Sequence, residues 1–324
     1  DVISDISSDG KETVYIATDG NGVHFLSHKD QQVTRRFYHD VNDKEGIRSN
    51  SIYSLLVDDR GAVWVGHFQA GLDYSLYQNG LFRTYAYPPL FNSANLSIRS
   101  FVNRGQEKVI GSRDGLFYIN EVSGVVKSFV KPVLTSDLIL TISFYQGEYY
   151  IGTYGGGMMV LDPGTLSLKY FAQGDTELFQ KGHIFCVKPD AKGNLWIGTS
   201  HGLFCYNGQT KQIKHFTSAN SQLPEGNVYE VSFDSTGKGW IATETGMCIY
   251  DPASQSLRSN VFPEGFVHRD KVRTIYEDAE HNLYFIREKG SLFTSTLTMD
   301  RFRNRSIFST LPDNSLMSVI EDNQ

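Results

Sequence analysis

A five-residue motif in the middle of the chain has the form of a serine nucleophile site. Gly198-Thr199-Ser200-His201-Gly202 matches Gly-x-Ser-x-Gly, which in hydrolases holds a serine on a sharp turn between a strand and a helix. Such a serine attacks an acyl group with a histidine as its base. Here the motif lies between two short apolar segments that are both typical of strands. We therefore interpret Ser200 as a turn residue and predict no catalytic residue.

Two other patterns resemble metal or phosphate sites only in composition. Asp58-Asp59-Arg60-Gly61 lacks the ligand spacing of a calcium loop, and the nine histidines do not fall in His-Glu-x-x-His spacing. Gly155-Gly156-Gly157 is not followed by the Lys-Ser/Thr pair of a phosphate loop. We predict turns at both places, no metal and no cofactor. The three glycines fit a turn that another surface approaches closely.

A recurring set of polar and aromatic turn residues has the chemistry needed to bind a sugar. Amides and charged groups bind hydroxyls, and an aromatic ring supports the apolar face of a sugar. Arginine and lysine also suit a uronic acid or a sulfate. The predicted ligand-binding residues are His67, Gln69, Arg113, Asp114, Tyr154, His201, Glu244, Arg287 and Lys289.

The composition is that of a globular protein without a nucleic-acid surface. The 324 residues are 40% hydrophobic and 20% charged, with a net charge of −6, whereas nucleic acids need a basic patch. No run approaches the roughly 18 apolar residues of a membrane span. No signal peptide is visible at Asp1, and the chain fits a piece of something longer. Cys186, Cys205 and Cys248 form no disulfide framework and are expected to be buried thiols.

An internal repeat is the strongest signal in the sequence. Each copy has an apolar segment, an Asp/Gly turn, an aromatic residue, a small residue and then Gly-Leu, as in NSIYSLLVDDRGAVWVGHFQAGL (50–72) and GHIFCVKPDAKGNLWIGTSHGL (182–203). Successive small residues are 41 to 49 positions apart, which is the period of propeller blades. The equivalent positions are Ala17, Gly66, Gly111, Gly152, Gly198, Ala242 and Ile286.

Each copy is typical of four antiparallel strands, which we place in the fifth copy at 184–188, 195–199, 203–206 and 212–216. No longer segment has helical periodicity. Seven copies predict an all-β, seven-bladed β-propeller with four antiparallel strands per blade over residues 1–313. Residues 314–324 are expected to be the first strand of a following repeat or a ring-closing strand, because 316–322 resembles 272–278.

Large side chains recur at two places in the repeat and are predicted to form the core between adjacent sheets, with the small residue at a crowded position near the axis. The first set is Tyr15, Trp64, Val109, Tyr150, Trp196, Trp240 and Tyr284. The second set is Phe37, Phe82, Phe129, Phe171, Phe216, Phe262 and Phe302.

The two quoted segments, and a third at 226–247, resemble the two-component regulator propeller repeat, and the resemblance extends over the chain in seven copies. It implies the extracytoplasmic sensor region of a hybrid two-component system, a periplasmic location and an oligosaccharide ligand. It also implies an adjacent propeller, an immunoglobulin-like domain, a membrane helix and a histidine kinase elsewhere in the full-length protein. The repeat is a structural motif, so it transfers no ligand-binding residue.

We therefore predict a non-catalytic, ligand-sensing propeller that regulates polysaccharide utilisation. Its expected partners are an oligosaccharide and an adjacent domain of the same protein, with no nucleic acid and no direct membrane insertion. A protein-interaction scaffold, and a propeller lyase or hydrolase, remain alternatives. The turns after the second strands should share one face with the segments that begin the first strands. Residues there include Arg99, His183, Asn227 and Arg273, and propeller sites gather on such a face by analogy of fold.

Overall fold

The computed structural model describes residues 2–8, 13–27, 32–40, 46–58, 61–76, 81–84, 97–171, 176–259, 272–277, 281–287, 292–296 and 303–305. These residues form seven antiparallel sheets of four strands each, with one short helix. The all-β class and the number of four-stranded units are as predicted from the repeat. The proposed extra strand at 314–324 lies outside the described residues.

The first four sheets follow the chain order of the repeat. Their strands are β1 (Val2–Ser8), β2 (Thr13–Asp19), β3 (Gly22–Ser27) and β4 (Gln32–Phe37); β5 (Ile52–Val57), β6 (Ala62–His67), β7 (Leu72–Leu76) and β8 (Leu81–Thr84); β9 (Ile98–Arg104), β10 (Glu107–Ser112), β11 (Leu116–Asn120) and β12 (Val125–Phe129); and β13 (Ile139–Tyr145), β14 (Glu148–Thr153), β15 (Met158–Asp162) and β16 (Ser167–Tyr170).

A six-residue helix, α1 (Thr176–Lys181), precedes the remaining three sheets. Their strands are β17 (Ile184–Pro189), β18 (Asn194–Thr199), β19 (Gly202–Asn207) and β20 (Ile213–Phe216); β21 (Val228–Phe233), β22 (Gly239–Thr243), β23 (Met247–Asp251) and β24 (Ser256–Arg258); and β25 (Val272–Glu277), β26 (Asn282–Arg287), β27 (Leu292–Thr296) and β28 (Arg303–Arg305). The boundaries of β17 to β20 agree with the prediction to within two residues. Helix α1 was not predicted, because six residues are too few to show a helical period.

The first strand of each sheet lies innermost. Every sheet is a meander whose strands are hydrogen-bonded in chain order. From the first sheet to the seventh, the first strand of each sheet contacts the first strand of the next. The fourth strand therefore lies at the rim, and the sheets are arranged as the blades of a β-propeller. No helix in the described ranges has the length and apolar character of a membrane-spanning segment.

The small residue at the end of the second strand is required by the neighbouring sheet. A Cβ added to Gly198 would lie 2.5 Å from Sγ of Cys186 and 2.7 Å from the carbonyl oxygen of Val228. A Cβ on Gly111 would lie 2.5 Å from the side chain of Ile139. Val228 and Ile139 each begin the inner strand of the following sheet. The prediction of a crowded position is confirmed.

The two recurring sets of large side chains contribute to the core. In the first set, five members are at most 1% exposed and Tyr150 is 6% exposed, while the side chain of Tyr284 is outside the description. In the second set, Phe129 and Phe171 are buried, and Phe37 and Phe216 are half-buried. The side chains of Phe82, Phe262 and Phe302 lie outside the described part.

The aspartate of the Asp/Gly turn accepts hydrogen bonds from a tryptophan of the second strand in three sheets. The carboxylate of Asp190 accepts the backbone N–H of Asn194 at 2.8 Å and the indole N–H of Trp196 at 2.9 Å. Asp234 accepts the indole N–H of Trp240 at 2.9 Å, and Asp58 accepts that of Trp64 at 3.2 Å. Asp58 is therefore a turn residue, as the sequence indicated, and the structure adds that it orients a core tryptophan.

The three cysteines are free thiols, with Cys186 and Cys248 buried and Cys205 half-buried. Burial raises the pKa of all three, that of Cys205 to about 12. These thiols are therefore protonated at neutral pH and serve as small apolar residues of the core.

Candidate functional site

Five sheets share a hydrogen bond that joins the turn after the second strand to the segment before the first strand. The N–H of the first turn residue donates to a carbonyl oxygen at 2.8–3.2 Å. The pairs are Phe68–Ser51, Arg113–Ser97, Tyr154–Leu138, Ser200–His183 and Glu244–Asn227. The turns and segments thus lie on one face, as the strand order predicted. We call it the upper face.

A β-bulge lies at the upper end of the first strand in each of the seven sheets. In β17, Ile184 pairs with Thr199 and Cys186 pairs with Gly198, which leaves Phe185 unpaired. A bulge redirects the extra side chain out of the regular alternation. On innermost strands, the bulges therefore leave one unpaired residue per sheet at the upper end of the strand, near the axis. These residues are Ser4, Tyr53, Arg99, Leu140, Phe185, Tyr229 and Arg273. Ser4 is buried, and the side chain of Arg273 lies outside the described residues.

Four rings form a continuous row across the fourth, fifth and sixth sheets, which we call the aromatic row: Tyr154, His183, Phe185 and Tyr229. Tyr154 stacks on His183 with centroids 4.0 Å apart and 28° between the planes. The centroids of His183 and Phe185 are 6.1 Å apart, and those of Phe185 and Tyr229 are 5.0 Å apart. The side-chain amide of Asn227 donates to the hydroxyl of Tyr229 at 2.9 Å. The row thus combines apolar ring surface with polar groups at its end.

The glycine turn fixes Tyr154 in place. The N–H of Gly157 donates to the carbonyl of Gly182 at 2.9 Å, just after α1. A Cβ on Gly156 would lie 2.6 Å from Oγ1 of Thr135, and Ser136 Oγ donates to the carbonyl of Tyr154 at 2.8 Å. The turn is therefore held between α1 and the segment before β13. The expectation that another surface approaches these glycines closely is confirmed.

Two arginines lie on the upper face of the third sheet, beside aromatic residues of the second. The guanidinium of Arg99 lies over the ring of Tyr53 at 5.8 Å, and Tyr53 stacks on Phe68 with centroids 4.9 Å apart. Burial lowers the pKa of Arg99, and the nearby charge of Arg113 lowers it further, against the opposite effect of Tyr53. We call Arg99 and Arg113 the arginine pair.

Most of the predicted ligand-binding residues lie on the upper face. Arg113, Tyr154 and Glu244 occupy equivalent positions in the third, fourth and sixth sheets. The residues that follow the first turn position are Gln69, Asp114 and His201, and all three are exposed. The backbone of Arg287 ends β26, but its side chain and the whole of Lys289 lie outside the described residues.

His67 differs from the other predicted site residues because it is fully buried. Its Nε2 lies 2.7 Å from a carboxylate oxygen of Asp73, and its Nδ1 lies 3.1 Å from the carbonyl oxygen of Ser49. Asp73 also accepts Nε–H of Arg48 at 2.8 Å. Both ring nitrogens are thus engaged inside the second sheet, so His67 belongs to an internal network and is not presented to a ligand.

The Gly-x-Ser-x-Gly motif forms the turn between β18 and β19. Ser200 Oγ lies 2.9 Å from Nδ1 of His201, and both side chains are on the turn itself. Within the described ranges, no carboxylate bonds to this pair. The motif therefore lacks the strand–turn–helix setting of a nucleophile site.

The inner members of the site were missed as site residues by the sequence reasoning. Tyr53, Phe185 and Tyr229 look like ordinary members of alternating strands, because a bulge is not visible in the alternation. The available signal was variability. The position after the first apolar residue of each first strand holds five residue types in seven copies, whereas the residue before it is always Ile or Val.

The sequence comparison finds two segments of the chain, 46–69 and 179–201, that match the family described as two component regulator propeller. The chain contains two-component regulator propeller repeats. The matched segments are the copies in the second and fifth sheets. No curated protein matches the chain in sequence.

Solved structures resemble the fold of this chain over most of its length. The extracellular domain of BT3049 from B. thetaiotaomicron, described as a hybrid two-component system, is 22% identical with a TM-score of 0.70, and the match covers 88% of this chain and 37% of that one. The computationally designed protein Ika8 is 12% identical with a TM-score of 0.71, covering 99% and 91%. PorZ from Porphyromonas gingivalis, a component of the type-IX secretion system, is 13% identical with a TM-score of 0.59, covering 94% and 51%.

These likenesses establish the β-propeller fold and nothing further, because all three identities are low. The chain spans little more than a third of the BT3049 domain, 37% of its length.

Proposed function

We propose that this chain is a non-catalytic ligand-sensing propeller, the periplasmic oligosaccharide-sensing part of a hybrid two-component histidine kinase that regulates polysaccharide utilisation. The observation that supports this most strongly is the aromatic row on the upper face. Tyr154 presents half of its surface to solvent, at 50% exposure, although the turn that bears it is fixed by both neighbouring segments.

A row of rings suits a sugar for physical reasons. The axial C–H groups of a pyranose form an apolar face, and an exposed ring that is already ordered can bury that face without losing further conformational freedom. Hydroxyls at the sugar edge need directional polar partners. The side chains of Asn227 and Glu244 can provide them. The N–H of Glu244 donates to the carbonyl of Asn227 at 2.9 Å, and this bond holds both residues near the end of the row.

The repeat family supports the sensing role and the location. BT3049 is described as the extracellular domain of a hybrid two-component system, and this chain matches about a third of that domain. This likeness supports a location outside the cytoplasm, and we propose that further domains of the same protein transmit the signal.

Binding fits the upper face better than catalysis does. A catalytic site brings an acid, a base or a nucleophile together around a reacting atom. The carboxylates that the upper face carries at predicted site positions, Asp114 and Glu244, lie on the third and sixth sheets, and among the described residues neither bonds to Ser200 or His201. Ser200 and His201 are adjacent on an exposed turn, with the histidine nitrogen directed at the serine of its own turn.

A protein contact is a second candidate function, and one observation favours it. Val130 and Val133, in the segment before β13, are 45% and 58% exposed. The same segment bonds the turn of Tyr154 through Ser136. Exposed apolar residues next to a binding surface are typical of sites that another protein surface covers. An adjacent domain on this edge would complete a ligand site and detect its occupancy.

The test is a binding screen of the purified chain against neutral and acidic oligosaccharides, by thermal shift and then by calorimetry. A ligand at 100 times its Kd stabilises the fold by about 2.7 kcal/mol, which raises the melting temperature measurably. We expect a stoichiometric complex from which the sugar is recovered unchanged. Cleavage of the sugar would contradict the non-catalytic role. Binding only to a neighbouring domain of the full-length protein would favour the scaffold.

A further inference from the structure

Resting on the proposed function, we propose that the arginine pair is an anion subsite, so that the ligand is an acidic saccharide bearing a carboxylate or a sulfate ester. Arg99 and Arg113 would bind the charged group, and the neighbouring aromatic residues would contact the sugar ring.

The fold holds both arginines at one place on the upper face. Ser112 pairs with Ile98 at the end of the ladder between β10 and β9, and each arginine is the next residue along its strand. The N–H of Arg113 donates to the carbonyl of Ser97 at 2.9 Å. The bulge turns Arg99 out of the ladder toward Tyr53, whose ring centroid is 5.8 Å from the guanidinium carbon.

No acidic side chain neutralises this pair among the described residues. Three other described arginines, Arg48, Arg104 and Arg258, each form an ion pair with a carboxylate. Asp114 is adjacent to Arg113 in sequence, but its backbone N–H bonds Ser112 Oγ at 2.9 Å and no ion pair joins it to either guanidinium. Two like charges at one site repel each other, and the lowered pKa of Arg99 has burial and this repulsion among its causes.

A bound anion would remove that repulsion. A guanidinium donates two parallel N–H bonds to a carboxylate or sulfate, and two such groups can bind different oxygens of one anion. The face of Tyr53, stacked on Phe68 at 4.9 Å, lies beside the same site and offers apolar contact for the ring that bears the anion. Uronic acids and sulfated sugars combine these two features.

The experiment follows the arginine Nε–Hε resonances by NMR during titration of the chain with sodium sulfate, sodium galacturonate and sodium chloride at constant ionic strength. Arg113→Gln and Arg99→Lys are the test variants. Arg35→Gln is the matched control, because Arg35 also lies over an aromatic ring, Phe37, at 4.4 Å, but on the outer strand β4. Calorimetry then compares an oligogalacturonate, a sulfated oligosaccharide and a neutral galacto-oligosaccharide.

We expect sulfate and galacturonate, but not chloride, to shift the Nε–Hε resonances of Arg99 and Arg113. The resonance of Arg35 should stay unchanged. Arg113→Gln should weaken acidic-oligosaccharide binding about tenfold or more, and Arg35→Gln should leave it as in wild type. The acidic oligosaccharide that binds with the higher affinity identifies the recognised group as a uronate or a sulfate ester.

The outcomes separate this inference from the proposed function. Tight binding of the neutral sugar that both arginine variants retain, with no anion shift, would overturn the anion subsite and leave oligosaccharide sensing intact. Anion shifts at Arg99 and Arg113 without binding of any oligosaccharide would support the subsite and contradict a sugar ligand. Equal shifts at Arg35 would show only unspecific screening and would overturn the subsite.

Discussion

The ring of Tyr154 stacks on the imidazole of His183, with centroids 4.0 Å apart, and this contact joins two sheets. Tyr154 belongs to the turn that follows β14, and His183 belongs to the segment that precedes β17. The N–H of Ser200 in turn donates to the carbonyl of His183 at 3.2 Å. The aromatic row is thus assembled from the same backbone bonds that fix the upper face, and a ligand would meet it already ordered.

Replacing Asp190 with alanine should destabilise the fold by about 1–3 kcal/mol, because the indole N–H of Trp196 would be left buried without an acceptor. Trp196→Phe should cost less in an Asp190→Ala background than in wild type, because the indole N–H has then already lost its acceptor. Urea unfolding measures both. Glu177→Gln, on the exposed surface of α1, is the control and should be close to neutral. An Asp190→Ala variant as stable as wild type would refute the role assigned to the turn aspartate.

Gly198→Ala should destabilise the fold by about 1–3 kcal/mol through overpacking. The added Cβ would meet the backbone carbonyl of Val228 at 2.7 Å, and backbone in an inner strand cannot move aside. Gly164→Ala is the matched control, since its Cβ would meet only the flexible carboxylate of Asp162 at 3.3 Å. Thermal melting distinguishes them, and equal melting temperatures would contradict the tight inter-sheet contact.

The sequence predicts the sheets well because the residues that recur in each copy are those that pack one sheet against the next. Gly198 and Trp196 recur in other copies as equivalent residues since each sheet presents the same surface to the next one. Their burial, the Asp/Gly turns and the fold class all follow from that periodicity. The same periodicity predicts that the turns of Arg113, Tyr154 and Glu244 share one face with the segments before the first strands, and the backbone bonds confirm this.

The inner half of the candidate site was not predictable from periodicity. Phe185 and Tyr229 lie at bulges, and a bulge changes side-chain direction without changing the apolar pattern. His67 was misread for a different reason. It was grouped with turn residues, but Asp73, which stands where five of the other six copies have an apolar residue or cysteine, provides a buried carboxylate partner at 2.7 Å. His67 and Asp73 both depart from the repeat, and the contact between their side chains is seen only in the structure.

The network of Asp73 should make stability depend on pH in the acid range. Burial by itself raises the pKa of Asp73, but the hydrogen bond from His67 and the charges of His67 and Arg48 outweigh it and lower the pKa. The stabilisation is therefore present above the unfolded pKa of about 3.9 and is lost as the pH falls through the lower folded value. Asp73→Asn should cost about 1–3 kcal/mol at neutral pH, because it removes the carboxylate that bonds the buried ring of His67 and the half-exposed Arg48.

Chemical unfolding of wild type and Asp73→Asn from pH 7 down to pH 2 tests this prediction. The variant should lose much of the acid dependence below the unfolded pKa. Arg48→Gln is the control with a smaller expected effect, because its side chain is 40% exposed. Parallel pH profiles for wild type and Asp73→Asn would show that this carboxylate does not contribute to acid stability.

The central claim is that the aromatic row binds the ligand, and calorimetry of Tyr154→Ala with the oligosaccharide found in the screen tests it most directly. Tyr170→Ala is the matched control, because Tyr170 is 49% exposed, as against 50% for Tyr154, but lies on the rim strand β16. We predict that Tyr154→Ala weakens binding by about tenfold or more through the lost apolar contact, while Tyr170→Ala binds as wild type and both variants melt normally. Wild-type affinity in Tyr154→Ala would contradict the claim.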